Sequence, residues 1–155
     1  MSFQENAKEF LNQQRLAVVG VSRSGTATGN VIFKALQNQG HTVIPVHPEA
    51  TQIEDVPCYP NLAAIPEGVD GVVIVTRPDV TEKIVQDAVV AGVPRVWMHG
   101  NALFGTQNSS VSQRAVAYGR EHGLTVIDGG CPLMFVDLGH KCMRWILGAT
   151  GKLPQ

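Results

Sequence analysis

Short, continuous apolar runs alternate with segments of helical period along this chain, and that rhythm restricts the fold more than any other feature. The runs are LAVV at 16–19, TVIPV at 42–46, VDGVVIVT at 69–76, RVWM at 95–98 and LTVI at 124–127. Runs of this kind read as strands buried on both faces, as in a parallel sheet. Between them, helices are predicted over 4–14, 29–39, 79–91 and 107–122. Phe3, Ala7, Phe10 and Leu11 form the inward face of the first, and Val31, Ile32, Ala35 and Leu36 that of the second. Gly40, Gly92 and Gly123 stand where helix-ending glycines belong. Parallel strands joined by right-handed helical crossovers make an α/β doubly wound sheet of five to six strands, flanked by helices on both faces. With 155 residues, 44% hydrophobic and only 16% charged, the chain is expected to form one domain over 1–155.

Two local features qualify this pattern. Pro45 removes a ladder donor from the second strand, so pairing there must be incomplete or bulged. The segment 47–67 is rich in Pro, Asp and Asn, with one short edge strand expected around Pro57, Cys58 and Tyr59.

In such a sheet, ligands bind outside the carboxyl ends of the strands, at the point where strand order reverses. The loops that matter are therefore 20–30, 47–50, 76–79, 99–101 and 128–135. The first reads VVGVSRSGTATGN from Val18 to Asn30. Gly20, Ser22 and Gly25 match the dinucleotide pattern GxGxxG except at its second glycine, where Ser22 brings a side chain to a place where backbone usually meets pyrophosphate. An anion site remains: backbone N–H groups at a helix N-terminus, hydroxyls on Ser22, Ser24, Thr26 and Thr28, and the guanidinium of Arg23. The bland alternative is a well-capped turn that holds nothing.

A nicotinamide dinucleotide site places an acidic residue after the second strand, roughly 20 residues past the glycines, to hold ribose hydroxyls. Here the sequence is Val46, His47, Pro48, Glu49. Glu49 follows a proline and is expected to point away from the strand axis, which demotes NAD.

Other features exclude rather than assign. A net charge of -1 gives no basic footprint for nucleic acid or for an anionic membrane. No apolar stretch approaches the ~20 residues that span a bilayer, and the polar N-terminus is unlike a signal peptide, so a cytoplasmic protein is expected. Cys58, Cys131 and Cys142 are odd in number and lack CxxC spacing, which suits reduced thiols. His47, His99 and Cys131 could converge at the sheet edge for metal or thiol chemistry, though turn-forming and packing roles explain them as well. Asp128, Asp137 and His140 show no fixed acid–base spacing, and no nucleophile elbow is present, so no catalytic residue is assigned. Trp97 and Trp145 fill core or an interface, and the apolar stretch 133–147 packs back on the sheet or forms a homodimer contact.

Taken in order, VVGVSRSGTATGN, HTVIPVHPE, CYPNLAAIP, VDGVVIVTRP, VWMHGN and GLTVIDGGCPLMF resemble the stand-alone CoA-binding proteins, which share their fold with the N-terminal domain of the succinyl-CoA synthetase α subunit. The likeness runs from Leu16 to Phe135. It implies a Rossmann-like domain with strand order 3-2-1-4-5-6 that binds coenzyme A and has no demonstrated enzymatic activity. By this resemblance Gly20, Ser22 and the loop through Arg23, Ser24, Gly25, Gly29 and Asn30 contact the phosphates. Val46, His47 and Pro48 lie beside the nucleotide, and Thr76 and Arg77 lie across the switch point, with His99 following the next strand. The chain departs from the family twice: Glu49 stands where a Lys or Arg often follows Asn-Pro, and Gly129-Gly130 precede Cys131 where an arginine is common. An acidic group near a phosphate is repulsive by about 1 kcal/mol; Arg23, Arg77 and a protonated His47 are the substitute cations.

The expected function is binding of coenzyme A or an acyl-CoA, a small-molecule ligand, for sensing or carriage. The alternatives are an NAD(P)-binding regulator or oxidoreductase remnant, and a protein–protein module with an empty nucleotide loop.

Overall fold

The computed structural model describes residues 2–100 and 109–136. Its elements run α1 (Phe3–Leu11), β1 (Arg15–Val19), α2 (Thr28–Asn38), β2 (Thr42–Val46), β3 (Gln52–Ile53), β4 (Val56–Pro57), β5 (Gly71–Ile74), α3 (Pro78–Ala91), β6 (Arg95–Met98), α4 (Gln113–Glu121), β7 (Thr125–Asp128) and α5 (Leu133–Val136). Five strands form one parallel sheet in the order β2-β1-β5-β6-β7. The expected sixth strand shrinks to a single parallel bridge between Val46 and Tyr59, outside β2. With that bridge counted, the order is the one the family resemblance implies.

Alternation within each strand divides the core. Leu16, Val18, Val43, Val73, Trp97 and Ile127 face α1, α2 and α5. Ala17, Val19, Ile44, Val72, Ile74, Val96, Met98 and Val126 face α3 and α4. Successive side chains in a strand point to opposite faces, so a continuous apolar run supplies both layers at once.

On the first face, Trp97 is fully buried and meets Phe3, Phe10 and Phe135 edge-on at 6.1, 5.4 and 6.1 Å between ring centroids. Its indole N–H donates to the carbonyl of Gly129 at 2.9 Å, which ties the aromatic cluster to the loop after β7. The same cluster accounts for two glycines. A Cβ on Gly71 would lie 2.7 Å from the Phe10 ring, and one on Gly130 would lie 2.5 Å from Phe3. Gly130 also has a φ of +69°, which an arginine at this place would adopt only with strain.

Several sequence expectations shift in detail. At Pro45 it is the incomplete pairing that occurs and not a bulge: its carbonyl accepts from Tyr59 N–H at 3.2 Å, so its donor-less edge faces away from β1, where only the single bridge forms. In α2, Val31 is 51% exposed, and Phe33, not anticipated, is buried. Helix α4 starts at Gln113, where the Ser112 hydroxyl accepts from Ala115 N–H; the earlier part of the expected 107–122 helix is either non-helical (109–112) or outside the described residues. Asn101, Asp137, His140, Cys142 and Trp145 also lie outside the described residues. Among the described residues, no helix is long and apolar enough to cross a membrane.

Replacing Trp97 with Phe keeps an aromatic ring but strands the buried Gly129 carbonyl and leaves a void. We expect Trp97→Phe to lower unfolding free energy by about 2–3 kcal/mol in urea titrations. An unchanged midpoint would mean that the indole bond contributes nothing.

Candidate nucleotide site

The chain runs from β1 through α2 to β2 on one side, then crosses to β5 on the other, so strand order reverses between β1 and β5. At that point three stretches of main chain meet without side chains between them. Gly20 ends β1 with a φ of +111°, and a Cβ there would lie 2.1 Å from the Val75 carbonyl oxygen, just past β5. Gly29, in the first turn of α2, packs over Gly20: its Cβ would lie 2.4 Å from the Gly20 carbonyl oxygen. The two glycines are thus required by close approach, and they draw the helix N-terminus down onto the carboxyl end of the sheet.

Asn30 shapes the loop between them. It is 1% exposed, and its amide oxygen accepts the Ser22 N–H at 2.7 Å while its amide nitrogen donates to the Ser22 carbonyl at 3.0 Å. This two-way bond closes the turn on itself through Ser22. The position that breaks the glycine pattern is therefore an anchored residue whose own N–H is used internally. Ser22, Ser24 and Thr26 hydroxyls form a chain at 3.1 and 2.9 Å, with Ser24 and Thr26 on the surface. Beyond it α2 begins at Thr28 with Ala27 as N-cap and no side-chain cap. Thr28 is exposed, and among the described residues the Thr28 and Gly29 N–H groups have no hydrogen-bond acceptor. Uncapped N–H groups at a helix start, with the positive end of the helix dipole behind them, are donors that an anion can use.

The neighbouring loop brings carboxylates instead of cations. His47 Nδ1 accepts from the backbone N–H groups of both Glu49 and Ala50 at 3.1 Å, which puts the ring proton on Nε2 and curls the segment back. Glu49 is exposed and has a charged partner. Its carboxylate meets the guanidinium of Arg23, in the loop after β1, at 3.1 Å. A second carboxylate, Glu54, comes from the two-residue turn between β3 and β4, where Glu54 and Asp55 both have positive φ, 52° and 64°. Such a turn favours Asn or Gly and costs these residues roughly 1 kcal/mol each. Glu54 pairs with Lys34 of α2 at 3.0 Å and stands 3.5 Å from the Asn30 amide nitrogen. Sequence reasoning missed Lys34 and Glu54, because the pair joins residues on separate elements and no motif spans them.

Across the switch point, Thr76 shares a hydroxyl contact with the buried Thr81 at 3.0 Å, and exposed Arg77 pairs with Asp79 at 3.2 Å. His99 is buried, with its N–H donating to the Ile74 carbonyl, and Val46 is buried while Pro48 is exposed. The loops bearing Gly20 to Asn30, Val46 to Pro48, Thr76 and Arg77, and His99 all emerge at the carboxyl end of the sheet. Cys131 is different in kind. Burial pushes its thiol up to about 11, so it is a neutral packing group near neutral pH. His47, His99 and Cys131 do not form a metal-binding group. Asp128 is engaged with Arg120 at 3.6 Å.

A doubly wound sheet with an uncapped helix N-terminus at its switch point defines a nucleotide-binding class of α/β domain. Within that class the match is specific: the CoA-binding domain model covers residues 14–137, and this chain belongs to the CoA-binding domain family. The ADP-forming acetate–CoA ligase I of Archaeoglobus fulgidus is 30% identical over 118 residues, which is 75% of this chain but 17% of the ligase. The uncharacterized protein YneT of Bacillus subtilis is 28% identical over 125 residues, 80% of this chain and 87% of that protein. Among solved structures, a hypothetical protein from Pyrococcus horikoshii superposes with a TM-score of 0.75 at 25% identity, covering 86% of this chain and 88% of that one. The chain thus spans less than a fifth of the ligase it resembles, but most of each of the two smaller proteins.

Gly29 offers a test with a reversed sign. In an ordinary helix Gly→Ala stabilises by up to about 1 kcal/mol. Here Gly29→Ala drives a methyl into the Gly20 carbonyl, and thermal and urea unfolding should show a loss of about 2 kcal/mol or more.

Proposed function

We propose that this protein binds coenzyme A or an acyl-CoA through the turn from Gly20 to Asn30, and that it acts as a ligand sensor or carrier without catalysing a reaction. The observation that carries this reading is the uncapped N-terminus of α2 at the switch point of the sheet, in a chain of the CoA-binding domain family. A diphosphate placed there would take the Thr28 and Gly29 N–H groups as donors, with the exposed Ser24 and Thr26 hydroxyls beside it. Charge-assisted bonds of this kind are about twice as strong as neutral ones. The loops at Val46 to Pro48 and at Thr76 and Arg77 would flank the rest of the nucleotide, and buried His99 would support the floor of the site.

The non-catalytic part of the reading rests on the chemistry of the groups present. The Cys131 thiol is buried and held neutral, so it offers no poised nucleophile. The uncharacterized relative of nearly equal length suits a self-standing binding role, whereas the ligase relative carries the same domain as a small part of a larger machine. Catalysis by a larger assembly is therefore not assigned to this chain.

Backbone donors can be deleted one at a time. Thr28 is the first residue of α2, where proline is favoured, and Ala27 has φ -74° and ψ 156°, the conformation a residue before proline prefers. Thr28→Pro should leave the melting temperature of the free protein close to its original value. In isothermal titration calorimetry it should weaken CoA binding about ten-fold or more, as loss of a bond to a charged group implies. Thr28→Ala, which keeps the N–H and removes only the hydroxyl, should lose much less. Absence of CoA binding by the unaltered protein would remove the proposal.

A further inference from the structure

Charge at the mouth of the site points to a preference within the ligand class. The registers of β1 and β2 pair Val19 with Val46, so the segment after β2 lies one strand away from the Gly20 turn. In a doubly wound sheet, a nucleotide whose diphosphate rests on the helix after β1 puts its adenosine ribose beside the residue that follows β2. An acidic side chain there accepts hydrogen bonds from free ribose hydroxyls, whereas a cation there accommodates a ribose phosphate. The acidic residue nearest that place in this chain is Glu49, three residues past the end of β2. Its backbone is pinned by His47 Nδ1, and its carboxylate reaches back over the loop to Arg23 at 3.1 Å.

The cations of the neighbouring loops and of α2 each have a carboxylate partner already. Arg23 pairs with Glu49 itself, Lys34 with Glu54 at 3.0 Å and Arg77 with Asp79 at 3.2 Å. Arg23 and Glu49 are 63% and 71% exposed, so their pair is weak and the carboxylate can turn toward a ribose at little cost.

Building on the CoA-binding reading, we infer that Glu49 is a specificity-determining residue that selects an adenosine diphosphate group with free ribose hydroxyls and disfavours one bearing a phosphate on that ribose. Two kinds of ligand share the favoured chemistry: dephospho-coenzyme A, set against coenzyme A, and NAD, set against NADP. A ribose phosphate adds about -1.5 to -2 charge near neutral pH, and two like charges within several Å repel measurably even at the surface.

Calorimetric titration of the unaltered protein and of Glu49→Lys with both matched pairs decides the matter. Glu49 is exposed, so the variant should fold as the parent does. We expect the unphosphorylated member of the binding pair to be bound about five-fold or more tightly by the parent, with the gap narrowing at high salt. Glu49→Lys should reverse the order. Binding of the nicotinamide pair alone, with the same preference and reversal, would sustain the role of Glu49 while displacing coenzyme A as the ligand. Coenzyme A bound at least as tightly as its dephospho form by the parent, or an order unmoved by Glu49→Lys, overturns the inference and leaves the CoA-binding reading intact. No titration of either pair with either protein overturns both.

Discussion

Everything at the ligand end of this molecule depends on a stack of bare main chain: Gly29 over Gly20, and Gly20 against Val75. A methyl group at either glycine would overlap a carbonyl oxygen, so the helix after β1 can sit this low only because both positions lack one. The consequence is geometric. The first N–H groups of α2 emerge at the reversal point of the sheet, where the loops after β1, β2, β5 and β6 converge. Asn30 then fixes the turn by holding both polar backbone groups of Ser22. That arrangement explains why a serine replaces the second glycine of the dinucleotide pattern without collapsing the loop: its N–H has a permanent partner, and the open donors lie further on, at Thr28 and Gly29.

Against this fixed positive end, the protein has set carboxylates. Glu49 and Glu54 both come from the irregular segment between β2 and β4, and each holds a cation of the loop or of α2. Glu54 does so from a turn with two non-glycine residues at positive φ, a conformation that persists only where surrounding contacts hold it. In the proposed site, backbone dipoles therefore outweigh side-chain charge. Backbone donors suit a diphosphate, and exposed cations that already have carboxylate partners add little fixed positive charge beside it.

How much of this was legible in the sequence depended on how local its cause was. The strands Thr42–Val46 and Arg95–Met98 could be read to the residue, because a helix-ending glycine or a proline marks their starts and the apolar run is unbroken. The outward turn of Val31 and the burial of Phe33 were not, since the two differ by one face of a helix whose partner strands are set by tertiary packing. Ser112 looked like helix interior but is its cap, for its hydroxyl accepts from Ala115 N–H and donates to Glu82. At the site, the Gly20 turn and its helix were visible from spacing alone. The pairing of Glu49 with Arg23 was not: the His47 ring accepts the N–H groups of Glu49 and Ala50, and the two exposed side chains meet across separate loops. Glu54 and Lys34 were invisible because nothing in a linear pattern links a hairpin turn to the second turn of a helix.

The central claim is that main-chain N–H groups at the start of α2 receive a diphosphate. Titrating the 15N-labelled protein with coenzyme A while recording amide NMR spectra tests it directly. The account predicts saturable shifts concentrated at the Thr28 and Gly29 amides and their loop, with the helix α3 and α4 face unmoved. Saturable binding whose shifts fall elsewhere, with those two amides unaffected, would contradict it.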